Sequence, residues 1–342
     1  MTSFMIGPHK VDRNGPPLFI AEAGLSHFGS LSKAVSLIHF AARAGADFIK
    51  FQHFDPNDLY ALDANKKYRD RALERALPDA HMYMLSRIAE SEGITFLCTP
   101  HTEQALDFLV KECKVSAIKI GSGEVGNTYL LRKAKETGLP ILLSVGMHTA
   151  KEIADAVKLL DGSPLCLLHC ISEYPTDPGG LRLGRINVLQ ETYKHLPIGY
   201  SHHGEGPIGM YIAAGLGACV IERHVCLGED YLAMQDQSAD VLVSANVQHL
   251  SVEVNWVREA HHMASRRPPK SDQEKQTRLW AKKVVVTKCS LMKGAVIEPE
   301  MITLKRGAPA GYEASHIPML VGATVAYNIP ENTTITQAMI EN

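Results

Sequence analysis

The sequence has no long hydrophobic run, no paired cysteine motif and no excess of charge of either sign. Its 342 residues carry a formal net charge of −2, which argues against a nucleic-acid partner or a polybasic contact with a membrane. The longest mostly apolar stretch, residues 209–221, is glycine-rich and too short to span a bilayer, and residues 1–15 contain no apolar signal segment. The seven cysteines form no CxxC pair, which predicts reduced thiols. We therefore expect a soluble, cytoplasmic protein.

What the sequence does contain is a short apolar run that ends in polar side chains, repeated eight times. The runs are residues 17–24, 47–54, 94–101, 117–124, 140–147, 165–173, 197–203 and 219–224. Stretches with helical patterning separate them, for example residues 31–46. Strand then helix, repeated eight times, predicts a (β/α)8 TIM barrel.

The pattern changes after residue 264. Residues 265–278 are dense in charge and proline, so we place a linker over 265–284, after a barrel domain of residues 1–264. Residues 285–342 contain short β-rich runs broken by turn residues, which predicts a small β-rich domain. About sixty residues of this kind form too little core to be very stable alone. We expect this domain to dock on the barrel or on a partner subunit.

Polar residues at the strand ends predict one shared pocket, because the C-terminal strand ends of a barrel converge on one face. That convergence favours an enzyme. The residues concerned are Glu22, Lys50, Gln52, Thr99, Lys119, Ser122, Glu124, Ser144, His169, Ser172, Ser201, His203 and His224.

Two histidines end neighbouring predicted strands. His203 and His224 could share one divalent metal ion, with water and substrate oxygens completing its shell. The alternative is two histidines at the rim that bond to the backbone, since a chain with 16 histidines places some there by accident. His202 competes with His203 as a ligand, but side chains alternate along a strand, so only one of the two faces the pocket.

Two lysines, Lys50 and Lys119, interrupt strands that are otherwise apolar. A buried, unpaired ammonium group is costly, so each lysine needs an anion or a covalent role. Two such lysines suit a phosphate and a carboxylate on one small substrate. Ion pairs with Glu22, Glu124 or Glu222 are the alternative, and a Schiff base with a carbonyl substrate is a third possibility.

Glycine-containing turns follow three of the predicted strands, at residues 121–123, 144–146 and 204–206. Backbone N–H groups at such turns, next to a helix N-terminus, favour an anion. Together with the two lysines, these turns indicate an acidic, phosphorylated substrate. Glu22 and Glu124 also lie at strand ends and could act as a general acid or base.

Eight sequence blocks and a C-terminal segment occur in a recognisable order along nearly the whole chain. They are IAEAGLSHFGS (20–30), AGADFIKFQHF (44–54), FLCTPHT (96–102), IKIGSGE (118–124), ILLSVGM (141–147), HCISEYPT (169–176), GYSHHGEG (199–206), VIERHV (220–225) and SLMKGAVIEPEMITLKRG (290–307). In these blocks the chain resembles the sialic acid synthases, which condense phosphoenolpyruvate with an aldose to make nonulosonic acids. The resemblance implies a TIM barrel followed by a small β-rich antifreeze-like (SAF) domain.

The resemblance also implies roles for individual residues. Glu22 matches the catalytic carboxylate, and His203 and His224 match catalytic positions that bind a divalent metal, Mn2+ or alternatively Mg2+ or Co2+. The positions that bind phosphoenolpyruvate fall on Lys50, Thr99, Lys119, Ser122, Ser144 and Ser201. The positions that bind the aldose fall on Gln52, Glu124, Tyr174, Asp236 and Arg306.

A homodimer is a further implication of the resemblance, because the SAF domain would offer Arg306 to the partner's substrate. In the implied reaction, C3 of phosphoenolpyruvate attacks a metal-polarised aldehyde, water captures the resulting cation, and phosphate leaves. The lysines then need no Schiff base. Two rival hypotheses are a lysine-dependent Schiff-base aldolase on the same barrel and a non-catalytic barrel scaffold.

The chain departs from the family pattern mostly on the aldose side. Residues 26–29 are SHFG in place of Asn-His-Asn-Gly, His202 replaces an Asp, and His101 replaces a Phe. The segment after His224 lacks the usual Gly two residues before Asp236, and the loop after the second strand is shorter. Such changes around a metal ligand can alter its orientation. We therefore expect the donor to be phosphoenolpyruvate, as in the family. The sequence leaves open which acceptor is used, N-acetylmannosamine or a related hexosamine derivative.

Overall fold

A computed structural model describes residues 1–228, 239–264 and 271–341 of the chain. The chain divides into two compact units, Met1–Ser265 and Arg266–Asn342. The first unit begins with an antiparallel hairpin of two strands, β1 (Ser3–Ile6) and β2 (His9–Asp12).

Eight parallel strands follow the hairpin and form the wall of a barrel. They are β3 (Leu18–Gly24), β4 (Phe48–His53), β5 (Thr95–Pro100), β6 (Ile118–Ile120), β7 (Ile141–Ser144), β8 (Leu165–His169), β9 (Ile198–His202) and β10 (Val220–Cys226). Their hydrogen-bonded order is β5-β4-β3-β10-β9-β8-β7-β6, and β5 and β6 also contact each other. A short strand, β11 (Ala245–Asn246), pairs with β10 outside this order. The predicted TIM barrel is confirmed.

Helices connect the strands and cover the outside of the barrel. They lie at Leu31–Arg43, Pro56–Leu59, Lys66–Arg75, Asp79–Ser91, Glu103–Lys111, Thr128–Glu136, Ala150–Leu159, Arg185–Thr192, Ile208–Gly215, Ala239–Leu242 and Leu250–Met263. Short 3-10 turns lie at Ser122–Glu124 and Pro178–Leu181. Within the described ranges, every helix is too short or too polar to cross a membrane.

The barrel strands are apolar on both faces because both faces are covered. Successive side chains point alternately into the barrel and out toward the helices. Ile20, Phe48 and Leu97 belong to a buried cluster inside the barrel, and the hairpin adds Phe4 and Ile6 to the same cluster. The hairpin therefore closes the N-terminal end of the barrel. Every second residue counted from this cluster toward the C-terminal end of a strand points to the interior, and this alternation decides which side chains can form a site.

The second unit is small and β-rich, as the sequence predicts. Its strands β12 (Lys283–Thr287) and β13 (Ile302–Arg306) pair antiparallel. Short helical turns lie at Pro299–Met301, Ala314–His316, Ile317–Leu320 and Gln337–Met339. Eight residues form the centre of its core, namely Val285, Leu291, Ile297, Ile302, Leu320, Val325, Ile329 and Ile335. A helix, Asp272–Ala281, precedes the strands and lies within the range that composition alone marks as a linker.

Candidate active site

A cavity of about 270 Å³ opens at the C-terminal ends of the barrel strands. Side-chain alternation along β4 explains part of this lining. Phe48 points into the core inside the barrel, so Lys50 and Gln52, two and four residues further on, also point inward and lie above that core. The predicted site residues that line the cavity are Glu22, Lys50, Gln52, Thr99, Lys119, Ser122, Ser144, Tyr174, Ser201, His203 and His224. One cavity therefore brings together the predicted metal, donor and catalytic positions and part of the aldose set.

Three predicted strand-end residues are not part of this lining. Glu124 stands behind His101, which does line the cavity, with Glu124 Oε1 3.8 Å from His101 Nδ1. The hydroxyl of Ser172 lies 3.0 Å from that of Ser122. His169 faces outward, and its Nε2 donates to a backbone carbonyl at 2.9 Å. Glu124 and Ser172 are thus supporting neighbours of the lining, whereas His169 belongs to the outer side of the strand wall.

The sequence also predicts Asp236 and Arg306 as aldose-binding residues. Asp236 lies outside the described residues. Arg306 is an exposed residue of the second unit, and its guanidinium carbon lies 5.0 Å from the centroid of the Trp280 ring. Asp240, which sequence reasoning missed, does line the cavity. It belongs to the same segment after β10 as Asp236, but no repeat or alternation in the sequence distinguishes one from the other.

Two lysines and two glutamates form a buried ion-pair cluster in the cavity. Lys50 Nζ lies 2.8 Å from Glu22 Oε2 and 3.7 Å from Glu222 Oε2. Lys119 Nζ lies 3.7 Å from Glu222 Oε1. All four side chains are at most 5% exposed. The structure therefore has the ion pairs that the sequence left open as an alternative, and Glu222 is a central residue that the predicted site omits.

Hydroxyl and amide groups complete the surroundings of these charges. Lys50 donates to Thr99 Oγ1 at 3.1 Å, and Lys119 donates to Ser144 Oγ at 2.9 Å. The carboxylates are held in the same way, because Ser201 Oγ donates to Glu222 Oε1 at 2.8 Å and Gln52 Nε2 donates to Glu22 Oε1 at 2.9 Å. Each charged group thus has a fixed orientation before any substrate enters.

Burial and ion pairing have opposite effects on the pKa values of this cluster. Burial lowers the pKa of Lys50, but the carboxylates of Glu22 and Glu222 more than offset it, so the pKa of Lys50 is raised. Burial also lowers the pKa of Lys119, and Glu222 offsets this only in part. Burial raises the pKa of Glu222, yet the two ammonium groups and the Ser201 hydroxyl bring it down to about 2. Glu222 is therefore ionised at neutral pH, and Lys119 loses its proton more readily than Lys50.

The two predicted metal ligands end adjacent strands, and the ring centroids of His203 and His224 are 5.6 Å apart. His203 Nδ1 donates to the Ile171 carbonyl at 2.6 Å. Because a carbonyl only accepts, this bond places the proton on Nδ1 and leaves a lone pair on Nε2, 3.1 Å from the Tyr174 hydroxyl. Burial, followed by the charge of His224, lowers the pKa of His203 to about 3. His203 is thus a neutral imidazole with its acceptor nitrogen toward the cavity.

The chemistry of this pair fits a divalent metal ion. A metal-binding histidine characteristically donates its other ring N–H to a carbonyl or a carboxylate, as His203 does to Ile171. His224 Nδ1 is buried and has no hydrogen-bond partner among the described residues. In the described ranges there is no group of three or more His, Cys, Asp or Glu side chains that could hold a metal ion. Among the described residues, this pair would supply two ligands, and water or substrate oxygens could supply others.

His202 points away from the cavity. It lies on the outer side of β9, where its Nε2 donates to the Gly206 carbonyl at 2.8 Å and its Nδ1 accepts from the Tyr200 hydroxyl at 2.8 Å. Burial, followed by the charge of Arg223, lowers the pKa of His202 to about 3. Of the two adjacent histidines, His203 is the one that faces the cavity.

Comparison with known proteins identifies the family to which this barrel belongs. Residues 37–267 match the NeuB family. The chain belongs to the NeuB family. Residues 282–341 match the SAF domain, so the small C-terminal unit is a SAF domain, as the resemblance implied.

Relatives of similar length are named as synthases. The chain is 33% identical to the N,N'-diacetyllegionaminic acid synthase of Legionella pneumophila, over 94% of each chain. It is 31% identical to the N-acetylneuraminate-9-phosphate synthase of Homo sapiens, over 96% of this chain and 93% of that one. A crystal structure described as the N-acetylneuraminic acid (sialic acid) synthetase of Leptospira borgpetersenii serovar Hardjo-bovis in complex with citrate superposes with a TM-score of 0.74 and 32% identity, covering 81% of this chain and 96% of that chain. The resemblance to sialic acid synthases is confirmed, and the chain is an enzyme of this family.

Proposed function

We propose that the protein condenses phosphoenolpyruvate with an aldose, N-acetylmannosamine or a related hexosamine derivative, to give a nonulosonic acid and phosphate. One observation carries this proposal. A single cavity combines a buried cluster of lysines and glutamates with two imidazoles that suit a divalent metal. Membership of the NeuB family and the names of the relatives support the same class of reaction.

The charged cluster would bind the anionic donor. The ammonium groups of Lys50 and Lys119 are both within the cavity lining, and each is held by a carboxylate and a hydroxyl group. Donors fixed in this way stabilise anionic oxygens without reorganising. Ser122 begins a 3-10 turn flanked by glycines at the same end of the barrel. Its hydroxyl and the neighbouring backbone would contact the phosphate.

The balance of charge in the cavity favours a metal at the histidines. The carboxylates of Glu22, Glu222 and Asp240 line the cavity and outnumber its two ammonium groups. A phosphorylated, carboxylated donor would be repelled by this excess, and a divalent cation would compensate it. We therefore place a divalent metal, Mn2+ or alternatively Mg2+ or Co2+, at His203 and His224. When bound there, it would supply Lewis-acid polarisation of the aldehyde oxygen.

The side chains of the cavity would then guide the bond changes. C3 of phosphoenolpyruvate forms a bond to the aldehyde carbon, and the aldehyde oxygen takes up a proton. Water adds to C2 and gives up one proton, which balances the proton taken up by the aldehyde oxygen. The bond between C2 and the phosphate oxygen then breaks, and the new hydroxyl passes its proton to the phosphate and becomes the ketone. Glu22 is suited to receive the proton of that water, because Lys50 and Gln52 hold its two oxygens at 2.8 and 2.9 Å. Lys50 and Lys119 hold the departing phosphate and need no covalent bond to substrate.

The acceptor sugar would bind at the outer part of the cavity. Gln52, Tyr174 and Asp240 line it there, and Glu124 reaches it through His101. Asp240 would accept hydrogen bonds from sugar hydroxyls, the role that the resemblance implies for Asp236, which stays a prediction.

Replacing Asp240 with Asn should weaken acceptor binding selectively. The amide keeps the size of the side chain but loses the charge and one acceptor. We expect the KM for the acceptor to rise about tenfold and the KM for phosphoenolpyruvate to stay within about twofold of the wild type. Steady-state kinetics with each substrate varied in turn measures both. Asp155→Asn is the matched control, because Asp155 is an exposed carboxylate that pairs with Lys151 and is not part of the described cavity lining. An equal rise of both KM values would contradict the assignment.

The proposed reaction is tested by measuring phosphate release from phosphoenolpyruvate with a panel of hexosamine derivatives. We expect activity with at least one aldose, its loss on treatment with EDTA, and its recovery with Mn2+. The second candidate is the Schiff-base aldolase, which the lowered pKa of Lys119 favours. Borohydride trapping of an adduct between substrate and lysine, with activity unaffected by EDTA, would support that candidate instead. No phosphate release with any aldose would contradict the proposed condensation.

We further propose a cytoplasmic homodimer whose SAF domain presents Arg306 to the partner's substrate. The exposure of the Arg306 side chain supports this role, since its guanidinium group rests on the Trp280 ring and remains open to solvent. The low net charge of −2 supports small-molecule substrates over nucleic acid or a membrane as partners.

A further inference from the structure

Two buried side chains hold the backbone that follows His203. His202 Nε2 donates to the Gly206 carbonyl at 2.8 Å, and Arg223 Nη1 donates to the Gly204 carbonyl at 2.8 Å. Both donors lie on the outer side of the strand wall, and they are 0% and 2% exposed. The loop of residues 204–206 is therefore fastened from outside the barrel, while His203 itself faces inward.

The ring of His202 occupies space that neighbouring glycines leave open. A Cβ atom at Gly204 would lie 2.9 Å from His202 Cε1, and one at Gly209 would lie 2.8 Å from the same atom. On the other ring nitrogen, Nδ1 accepts from the Tyr200 hydroxyl at 2.8 Å. Both nitrogens thus have fixed partners and the ring is closely enclosed, so the imidazole has one orientation and one tautomer.

His203 is held from its other side by the segment that follows β8. Its Nδ1 donates to the Ile171 carbonyl at 2.6 Å, and its own carbonyl accepts from the Thr176 N–H at 2.8 Å. The position of the ring therefore depends on two anchors, residues 171–176 on one side and the loop fastened by His202 on the other. If the second anchor is released, the ring can shift relative to His224. A site with only two protein ligands is sensitive to such a shift.

We infer that His202 is a positioning residue for the metal site, acting through the Gly206 carbonyl and the loop on His203. The inference rests on the metal-binding role proposed for His203 and His224. The donor is essential at this position, because a carbonyl can only accept and the imidazole N–H is the group that fastens the loop.

The test is a calorimetric titration of the full-length protein with MnCl2. His202→Leu removes the donor and keeps an apolar side chain, whereas His202→Gln keeps an N–H donor on a side chain of similar length. We expect the Kd for Mn2+ to rise about tenfold in His202→Leu and to stay within about threefold of the wild type in His202→Gln. Thermal unfolding of the same samples separates loss of the metal site from loss of the fold. If His202→Leu does not fold, His202→Asn takes its place, because its amide is too short to replace Nε2. Its Kd for Mn2+ should then rise about tenfold.

The matched control is His53→Leu. His53 is likewise a buried imidazole on the outer side of a strand, with Nε2 2.9 Å from Asp79 Oδ1, but it lies on β4 and does not touch the loop. Its loss should lower the unfolding temperature and leave the Kd for Mn2+ unchanged. An unchanged Kd in His202→Leu, with normal binding by the wild type, overturns the inference alone. Absence of Mn2+ binding by the wild type overturns the metal site of the proposed function and the inference with it.

Discussion

Replacing Glu222 with Gln is expected to lower the free energy of unfolding of the barrel by about 3–5 kcal/mol, the cost of breaking a buried ion pair by removing one partner. The carboxylate of Glu222 lies 3.7 Å from both Lys50 Nζ and Lys119 Nζ and accepts from the Ser201 hydroxyl. The amide keeps the shape but removes the carboxylate that pairs with Lys119, and among the described residues it leaves Lys50 with the Glu22 ion pair. Urea unfolding followed by circular dichroism measures the change.

Two further variants show whether the loss comes from charge. Glu90→Gln removes an exposed carboxylate that pairs with Arg87, and it should change the free energy of unfolding by less than about 1 kcal/mol. The double variant Glu222→Leu with Lys119→Met removes both members of one pair and leaves the Lys50–Glu22 pair intact. It should recover part of the stability but none of the activity. A loss below about 1 kcal/mol in Glu222→Gln would show that the cluster is not held by these pairs.

Replacing His203 or His224 with Ala should lower kcat by roughly a thousandfold, since Lewis-acid stabilisation of the transition state contributes several kcal/mol. The two imidazoles are the only protein ligands proposed for the metal, and each lies in the cavity lining. Phosphate release at saturating phosphoenolpyruvate and Mn2+ gives kcat, and thermal unfolding checks that the fold is intact.

The control for the histidine variants is His169→Ala. His169 is as deeply buried, at 1% exposed, and lies at a strand end, but it faces outward and bonds to a backbone carbonyl. It should lose stability and keep kcat within about tenfold of the wild type. Wild-type kcat in either His203→Ala or His224→Ala would rule out a metal role for that residue.

Much of the cavity could be predicted from the sequence because side-chain alternation along a strand is a local property. Once Lys50 is taken to face inward, Gln52 must do so as well, and both line the cavity. The same rule could not orient His169, which the sequence wrongly placed in the pocket, because the four residues before it on β8 are all apolar and do not reveal which of them point inward. The fold class needed no such detail, since eight repeats of strand and helix determine it.

The sequence offers Glu22, Glu124 and Glu222 as possible partners of the lysines but cannot choose among them, because the choice depends on strand neighbours and on register. Glu22 and Lys50 lie directly opposite each other on β3 and β4, and Glu222 lies opposite Ser201 on β9. No sequence pattern specifies these pairings before the barrel closes. The helix Asp272–Ala281 escaped prediction for a related reason, since it has no buried residue and so no apolar stripe.

The hairpin that closes the N-terminal end of the barrel constrains the order of events in the cavity. Phe4 and Ile6 pack into the cluster inside the barrel, so the described part of the barrel is closed at this end and the cavity opens at the other. If phosphoenolpyruvate binds at the charged cluster and the sugar binds above it, the donor must enter first and the sugar covers it. We then expect phosphate, formed beneath the product, to leave after it, which gives an ordered kinetic mechanism.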